Sequence, residues 1–209
     1  AMSPRRGPVC INLPRDILAN KANFKINEKK QSYENQSSIK GDSNYIKKAV
    51  KIISNSNQIV IVAGGGVKYN SKYKNIIKLA ELLNSPIVTA AGHGDAIPFN
   101  HKLNAGQMGP RGNPVASNLV KEARVIIALG TRLGFNSTFY SYDNINPEAK
   151  IIHIELEPTA IGRFFPIKIG IWADAPTAAK QLTAAIVKQK NRSAVDKWTA
   201  QFQHERAAY

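Results

Sequence analysis

The chain has 209 residues, 43 % of them hydrophobic and 21 % charged. That is enough apolar material for one ordinary core plus appendages, and no apolar run reaches the roughly 18–20 residues a membrane span needs. The formal charge of +15 admits a nucleic-acid or phosphate-rich partner. However, the lysines are dispersed, Lys, Asn and Ile together dominate the composition, and no RNA-binding aromatic signature is present, so no nucleic-acid partner is expected. The single Cys10 excludes a disulfide framework within the chain and suits a reducing compartment. Residues 1–6 lack the apolar core of a signal peptide, and a cytoplasmic location with no membrane partner is the expectation.

In chain order, residues 9–13 read as a short strand bounded by prolines, with no preceding partner strand. Residues 19–43 are rich in Lys, Asn, Gln and Ser without periodicity, which is linker composition. Ile46, Ala49, Val50 and Ile53 then fall on one helical face, and residues 58–63 form a β-branched run expected of a strand buried on both faces. Tyr73, Ile76, Ile77, Ala80 and Leu83 make a second helical face, closed by Asn84-Ser85-Pro86. Residues 86–90 read as the next strand, 91–112 as a long loop, and Ala116, Leu119, Val120 and Ala123 as a third helical stripe. Residues 124–129, 150–156 and 167–173 complete a count of five strands, and Asp174 is placed to cap a helix running to about residue 189. Residues after Asn191 read as a helix leaving the domain, carrying Trp198 and Phe202 without a partner. Strands alternating with helices at this spacing predict an α/β fold: a doubly wound, Rossmann-like parallel sheet in three layers, α/β/α.

Gly64-Gly65-Gly66 follows a buried strand, where backbone N–H groups can face an anion. The dinucleotide fingerprint fails, because its third glycine position holds Tyr69 and the following strand ends in Thr89-Ala90-Ala91 without a carboxylate. The glycines therefore permit either tight strand–helix packing or close approach of a ligand. Gly92-His93-Gly94-Asp95 with His101 lies in a polar loop at the carboxyl ends of the strands; a structural loop is favoured over a ligand contact, and both over catalysis. Gly130-Thr131-Arg132 follows a strand in the same way, and Arg132 can pair with a phosphate or make a surface ion pair. Glu155 would stand at the carboxyl edge, within reach of a ribose hydroxyl, and His153 is most simply a packing histidine. No nucleophile elbow, P-loop or zinc pattern occurs, and no complete catalytic site is composed.

Taken together, these blocks resemble thiamine-diphosphate-dependent enzymes of the acetolactate synthase type. Gly7-Pro-Val-Cys-Ile-Asn-Leu-Pro-Arg-Asp16 resembles the strand closing their pyrimidine-binding domain. Ile59-Val-Ile-Val-Ala-Gly-Gly-Gly66, Ser85-Pro-Ile-Val-Thr-Ala90, Gly106-Gln-Met-Gly-Pro-Arg-Gly112, Ala128-Leu-Gly-Thr-Arg-Leu133 and residues 151–158 resemble successive blocks of their central domain, of the DHS nucleotide-binding type. Within the family, Gly92-His-Gly-Asp-Ala-Ile-Pro98, Gly130-Thr-Arg-Leu-Gly134 and Ile169-Gly-Ile-Trp-Ala-Asp174 resemble sulfoacetaldehyde acetyltransferases most, although Leu133-Gly134-Phe135 departs from the synthases' Asp-Asp-Arg continuation.

The resemblance implies four parts: residues 1–18 ending a pyrimidine-binding domain, a linker over 19–43, a central domain over 44–190, and a connecting helix over 191–209. It implies thiamine diphosphate and magnesium in the complete enzyme, FAD or ADP in the central domain, a small-molecule substrate and a homo-oligomer, dimer or tetramer. The activating glutamate and the diphosphate motif would lie outside this chain, so no catalytic residue and no metal ligand is expected in it. The positions matching a central-domain ligand site are Gly64, Gly65, Gly66, Gly92, Gly130, Thr131, Arg132, Glu155 and Asp174. Self-association through the opening strand and the Trp198 helix is a further expectation, and a non-catalytic FAD- or ADP-binding module is the alternative reading.

Overall fold

The computed structural model describes residues 7–23, 25, 38–68, 73–186 and 193–208. Tyr69 and most of the linker lie outside them, and the helix expected to run to about residue 189 instead ends at Ala185, where Ile186 turns extended. The chain falls into two units, residues 1–38 and 39–209. In the first, residues 7–14 carry no regular secondary structure and lead into a short helix α1, Arg15–Ala19. The strand expected at 9–13 is thus corrected: Val9, Ile11 and Leu13 are exposed, and without ladder hydrogen bonds an apolar alternation does not make a strand.

The second unit is a three-layer α/β/α sandwich. Its elements run α2 (Ser43–Ser54), β1 (Ile59–Ala63), α3 (Tyr73–Leu83), β2 (Ile87–Thr89), β3 (Asn104–Gln107), α4 (Pro114–Glu122), β4 (Val125–Leu129), α5 (Phe135–Thr138), β5 (Lys150–Glu155), β6 (Ile169–Trp172), α6 (Ala175–Ala185) and α7 (Ser193–Ala208). All six strands are parallel, in the order β3-β2-β1-β4-β5-β6. Strands β1 and β4 are buried at every position because helices cover both faces, which is why they read as unbroken aliphatic runs. Ile59, Ile61 and Ala63 face α2, α3 and α6; Val60 and Val62 face α4 and α7.

Two local features differ from expectation. The loop expected over 91–112 contains a sixth strand, β3, paired with β2 from Ile87↔Asn104 to Thr89↔Gln107. Its sequence, Asn-Ala-Gly-Gln, holds no β-branched residue, so propensity gives no sign of it. Trp198 and Phe202 do have partners in this chain: α7 lies on the sheet, and both side chains are buried in the core beside α4. The Trp198 indole N–H donates to Ile59 O at 3.2 Å, the Thr199 hydroxyl donates to Asn84 O, and the Asp196 carboxylate accepts from the Asn84 amide at 2.7 Å. Near the far end the Arg206 guanidinium donates to the carbonyls of Phe99, His101 and Lys102. Two large aromatics on one helical face gain more by burial against an existing sheet than by exposure, so the helix folds back.

Candidate functional site

In an open parallel sheet, ligands bind outside the carboxyl ends of the strands where the strand order reverses. Here that point lies between β1 and β4, the two strands from which the chain winds outward in opposite directions. The turns leaving these strands interlock. Gly64 N–H donates to Leu129 O and Gly66 N–H to Gly130 O, both at 2.9 Å. A Cβ at Gly64 would stand 2.4 Å from Gly130 O, one at Gly66 2.8 Å from Gly130 Cα, and one at Gly130 2.7 Å from Gly66 Cα. Gly130 also has φ +58. The glycine turns at the crossover are therefore a close-packed backbone seam first, and any ligand meets this seam from outside.

The loop after β2 leans over it. Gly92, at φ +80, donates its N–H to Gln107 Oε1 at 3.0 Å, which ties the loop to the end of β3. The His93 ring lies on Gly65, where a Cβ would be 2.9 Å from its Cε1. His93 Nδ1 is buried without a hydrogen-bond partner. Beside it, Lys68 Nζ and Asp95 Oδ1 form an ion pair at 2.6 Å. Burial, then the charge of Lys68, then that of Arg132, hold the imidazole pKa below its usual value, against the opposing pull of Asp95. The ring is therefore neutral at physiological pH and can donate one hydrogen bond and accept another. The hydrogen bond from Lys68 holds the exposed Asp95 carboxyl below its usual pKa. Arg132 is exposed at the same edge.

The loop carrying Arg132 is braced from beneath. His153 is buried at mid-strand in β5, with Nε2 2.7 Å from Thr131 O and Nδ1 3.2 Å from Gly162 N. These partners fix the tautomer: Nε2–H donates to the carbonyl, and Nδ1 accepts from the Gly162 N–H. Burial lowers the His153 pKa, and the Thr131 carbonyl and Glu155 charge only partly oppose it. Further along, Leu133 (φ +49), Phe139 (φ +50) and Tyr140 (φ +55) turn the chain so that the Phe135 ring stacks edge-on to Phe139 at 5.1 Å and Tyr140 lies 4.4 Å from Phe164.

The structure thus brings Gly64, Gly65, Gly66, Gly92, Gly130, Thr131 and Arg132 to one crevice and joins His93, Lys68, Asp95 and Gln107 to them. Sequence reasoning missed Lys68 and Gln107; the position of Lys68 just after the glycine turn was the only available signal. Two other sequence candidates are occupied locally. The Glu155 carboxylate accepts from the N–H of Leu156 at 2.8 Å and of Glu157 at 3.4 Å, bending the chain after β5. Asp174 caps α6, accepting from Thr177 N at 3.1 Å and from its hydroxyl at 2.5 Å. His101 sits apart, 3.4 Å from Glu81. Among the described residues no group of three or more His, Cys, Asp or Glu side chains can hold a metal ion. The carboxylates at this edge are engaged by Lys68, by backbone N–H groups and by Thr177, an arrangement that does not fit a magnesium-held diphosphate.

Comparison with known proteins identifies the family. Residues 46–182 match the model of the thiamine pyrophosphate enzyme central domain. The chain is 34 % identical over 181 residues to a sulfoacetaldehyde acetyltransferase from Roseovarius nubinhibens, covering 86 % of this chain and 29 % of that protein. It is 34 % identical over 190 residues to a probable acetolactate synthase large subunit from Methanocaldococcus jannaschii, covering 90 % of this chain and 32 % of that one. With an acetolactate synthase large subunit from Buchnera aphidicola subsp. Schlechtendalia chinensis it shares 37 % identity over 194 residues, covering 89 % and 33 %. The chain spans about a third of the length of these relatives. With a six-stranded parallel sheet and this family match over most of its length, the chain belongs to the thiamine pyrophosphate enzymes, as their central domain.

Proposed function

We propose that the chain is the central domain of a thiamine-diphosphate-dependent transferase of the sulfoacetaldehyde acetyltransferase kind, which converts sulfoacetaldehyde and phosphate to acetyl phosphate and sulfite. In this reading magnesium and thiamine diphosphate are held by other domains of a homo-oligomeric, cytoplasmic enzyme. The chain alone is then inactive. No helix among the described residues is long and apolar enough to cross a membrane. Its own task is to hold a phosphate-bearing ligand, FAD or ADP, at the crossover of the sheet. The observation carrying this is the trio Lys68, His93 and Arg132 around the glycine seam, with His93 Nδ1 buried and unpartnered. A phosphate oxygen accepting from His93 and the Arg132 guanidinium would satisfy both at once.

Calorimetry of the 209-residue chain with ADP, FAD and coenzyme A tests the ligand reading. Saturable heat with ADP or FAD, weakened about tenfold by Arg132→Gln, is expected; no heat with any of them refutes it. For the reaction class, the assay is phosphate-dependent formation of acetyl phosphate by a protein that carries this chain with its flanking domains. Formation of acetolactate from pyruvate instead would overturn the transferase reading in favour of a synthase, the second reading favoured by the relatives' names.

A further inference from the structure

At the opposite, amino edge of the sheet lies a cleft of about 710 Å³. Its floor is set by the strand starts. Arg124 N–H and Val125 N–H both donate to Gln58 O, at 2.9 and 3.0 Å, and Lys150 N–H donates to Arg124 O at 2.9 Å. The backbones of Gln58, Arg124 and Lys150 are thereby adjacent. The far wall is α7, pinned by the Trp198 indole bond to Ile59 O. Lys197 lies beside Trp198 and Gln201 one turn further on, and both line the cleft.

Three cationic side chains, Arg124, Lys150 and Lys197, thus line one cavity with a single carboxylate, Glu148. Among the described residues the ion pairs are Lys68–Asp95 and His101–Glu81, so none of these four is paired. The ordinary explanation for cations here is compensation of helix carboxyl termini, since α2 and α4 both end at this edge. Those ends are already supplied with donors. Asn55 N–H and Ser56 N–H cover the Ile52 and Ile53 carbonyls of α2. Asn146 covers Val120 O through its backbone and Ala123 O through its side-chain amide. Among the described residues the cationic heads have no ion-pair partner.

We propose that this cleft is a second ligand site, for a phosphorylated small molecule carrying at least two negative charges. Its volume is that of a small-molecule pocket, and the local excess of positive charge calls for more than one negative charge. A single-stranded nucleic acid would need an aromatic platform, and Trp198 is buried with its N–H engaged. The site is separate from the glycine crevice at the carboxyl edge and does not rest on the ligand proposed there.

The chain's two tryptophans report on the two edges separately. Trp198 is among the residues lining the cleft, with its indole N–H on Ile59 O, and the Trp172 indole sits at the carboxyl end of β6 with its N–H on Leu156 O. Titration of the 15N-labelled chain with inorganic tripolyphosphate, at about 0.15 M salt to suppress diffuse attraction, should shift the Trp198 indole resonance saturably. Lys150→Gln with Lys197→Gln should weaken that response about a hundredfold, and Arg132→Gln should leave it within twofold. Lys47→Gln with Lys74→Gln removes the same charge from exposed positions outside the cleft lining and should also leave it within twofold. All these side chains are exposed, so the variants should melt with the parent. A silent Trp198, a shift confined to Trp172, or equal weakening by the Lys47 and Lys74 pair overturns the proposal.

Discussion

Replacing Gly130 with alanine tests the seam between β1 and β4 directly. The new Cβ would lie 2.7 Å from Gly66 Cα, 3.0 Å from its carbonyl carbon and 3.1 Å from its nitrogen, all backbone atoms that cannot rotate aside. At φ +58 the alanine also takes a left-handed conformation costing about 1–2 kcal/mol. Relief of the overlap requires the two turns to part, which costs about 1–3 kcal/mol of displaced packing. It also lengthens the Gly66 N–H to Gly130 O bond, a loss of about 1 kcal/mol. The total is about 4 kcal/mol, a large share of the roughly 5–15 kcal/mol that holds a domain together. With a urea slope of about 2–3 kcal/mol per molar, the unfolding midpoint should fall by about 1.5 M. Gly92→Ala isolates the conformational part, because Gly92 has φ +80 with open space around it, and it should cost about 1 kcal/mol. Gly134→Ala, with no neighbour within 4 Å and φ −77, should be neutral within about 0.5 kcal/mol. If Gly130→Ala falls within about 1 kcal/mol of Gly92→Ala, the seam is not close-packed and the account of it is wrong.

Three further outcomes are expected. Trp198→Ala should destabilise the domain by about 3–5 kcal/mol through the vacated volume and the lost bond to Ile59 O; a loss under about 1 kcal/mol in urea unfolding would mean α7 is not part of the core. Asp174→Ala removes the cap of α6 and should cost about 1 kcal/mol, with Asp174→Asn recovering most of it, as read by thermal melts. His153 resists protonation because it is buried, so its folded pKa lies below the unfolded value of 6.5. Stability should therefore be full above about pH 6.5 and fall below it by up to about 1.4 kcal/mol per pH unit, as the unfolded chain takes up a proton that the folded one refuses. His93 acts in the same direction, whereas Asp95, whose pKa is lowered, loses its contribution only in the more acidic carboxylate range. His153→Gln should flatten the slope between about pH 7.5 and about pH 5.5; an unchanged slope refutes the assignment.

Periodicity made most of the layers legible. The β-branched run over β1 and the helical stripes of α2, α3, α4 and α6 follow from burial on one or both faces, which is a local property of sequence. Strand β3 was not legible, because its Asn-Ala-Gly-Gln sequence is held extended by the edge of β2 rather than by its own propensity. The docking of Trp198 was hidden for a related reason: its partner, Ile59 O, is fixed by the fold and leaves no trace near Trp198 in the chain. At the crevice, the glycines and Arg132 stood out because they follow strands. The neutral state of His93 did not, since it depends first on burial in the folded chain and then on the charges of Lys68 and Arg132, which arrive from separate loops. Asp174 was readable as a cap, and its carboxylate is engaged in that role.

The interlocked turns of Gly64, Gly66 and Gly130 have a consequence for how this crevice can discriminate. A hub assembled from main chain alone presents the same atoms to every visitor, and no substitution can be added there without prying β1 from β4. For the ligand proposed at this crevice, selectivity would then be written on the rim, in His93, Arg132 and the aromatic turn from Phe135 to Tyr140, where side chains can be exchanged while the sheet stays closed. Such an arrangement would let one frame be retuned by its periphery, with the centre acting as a fixed bearing.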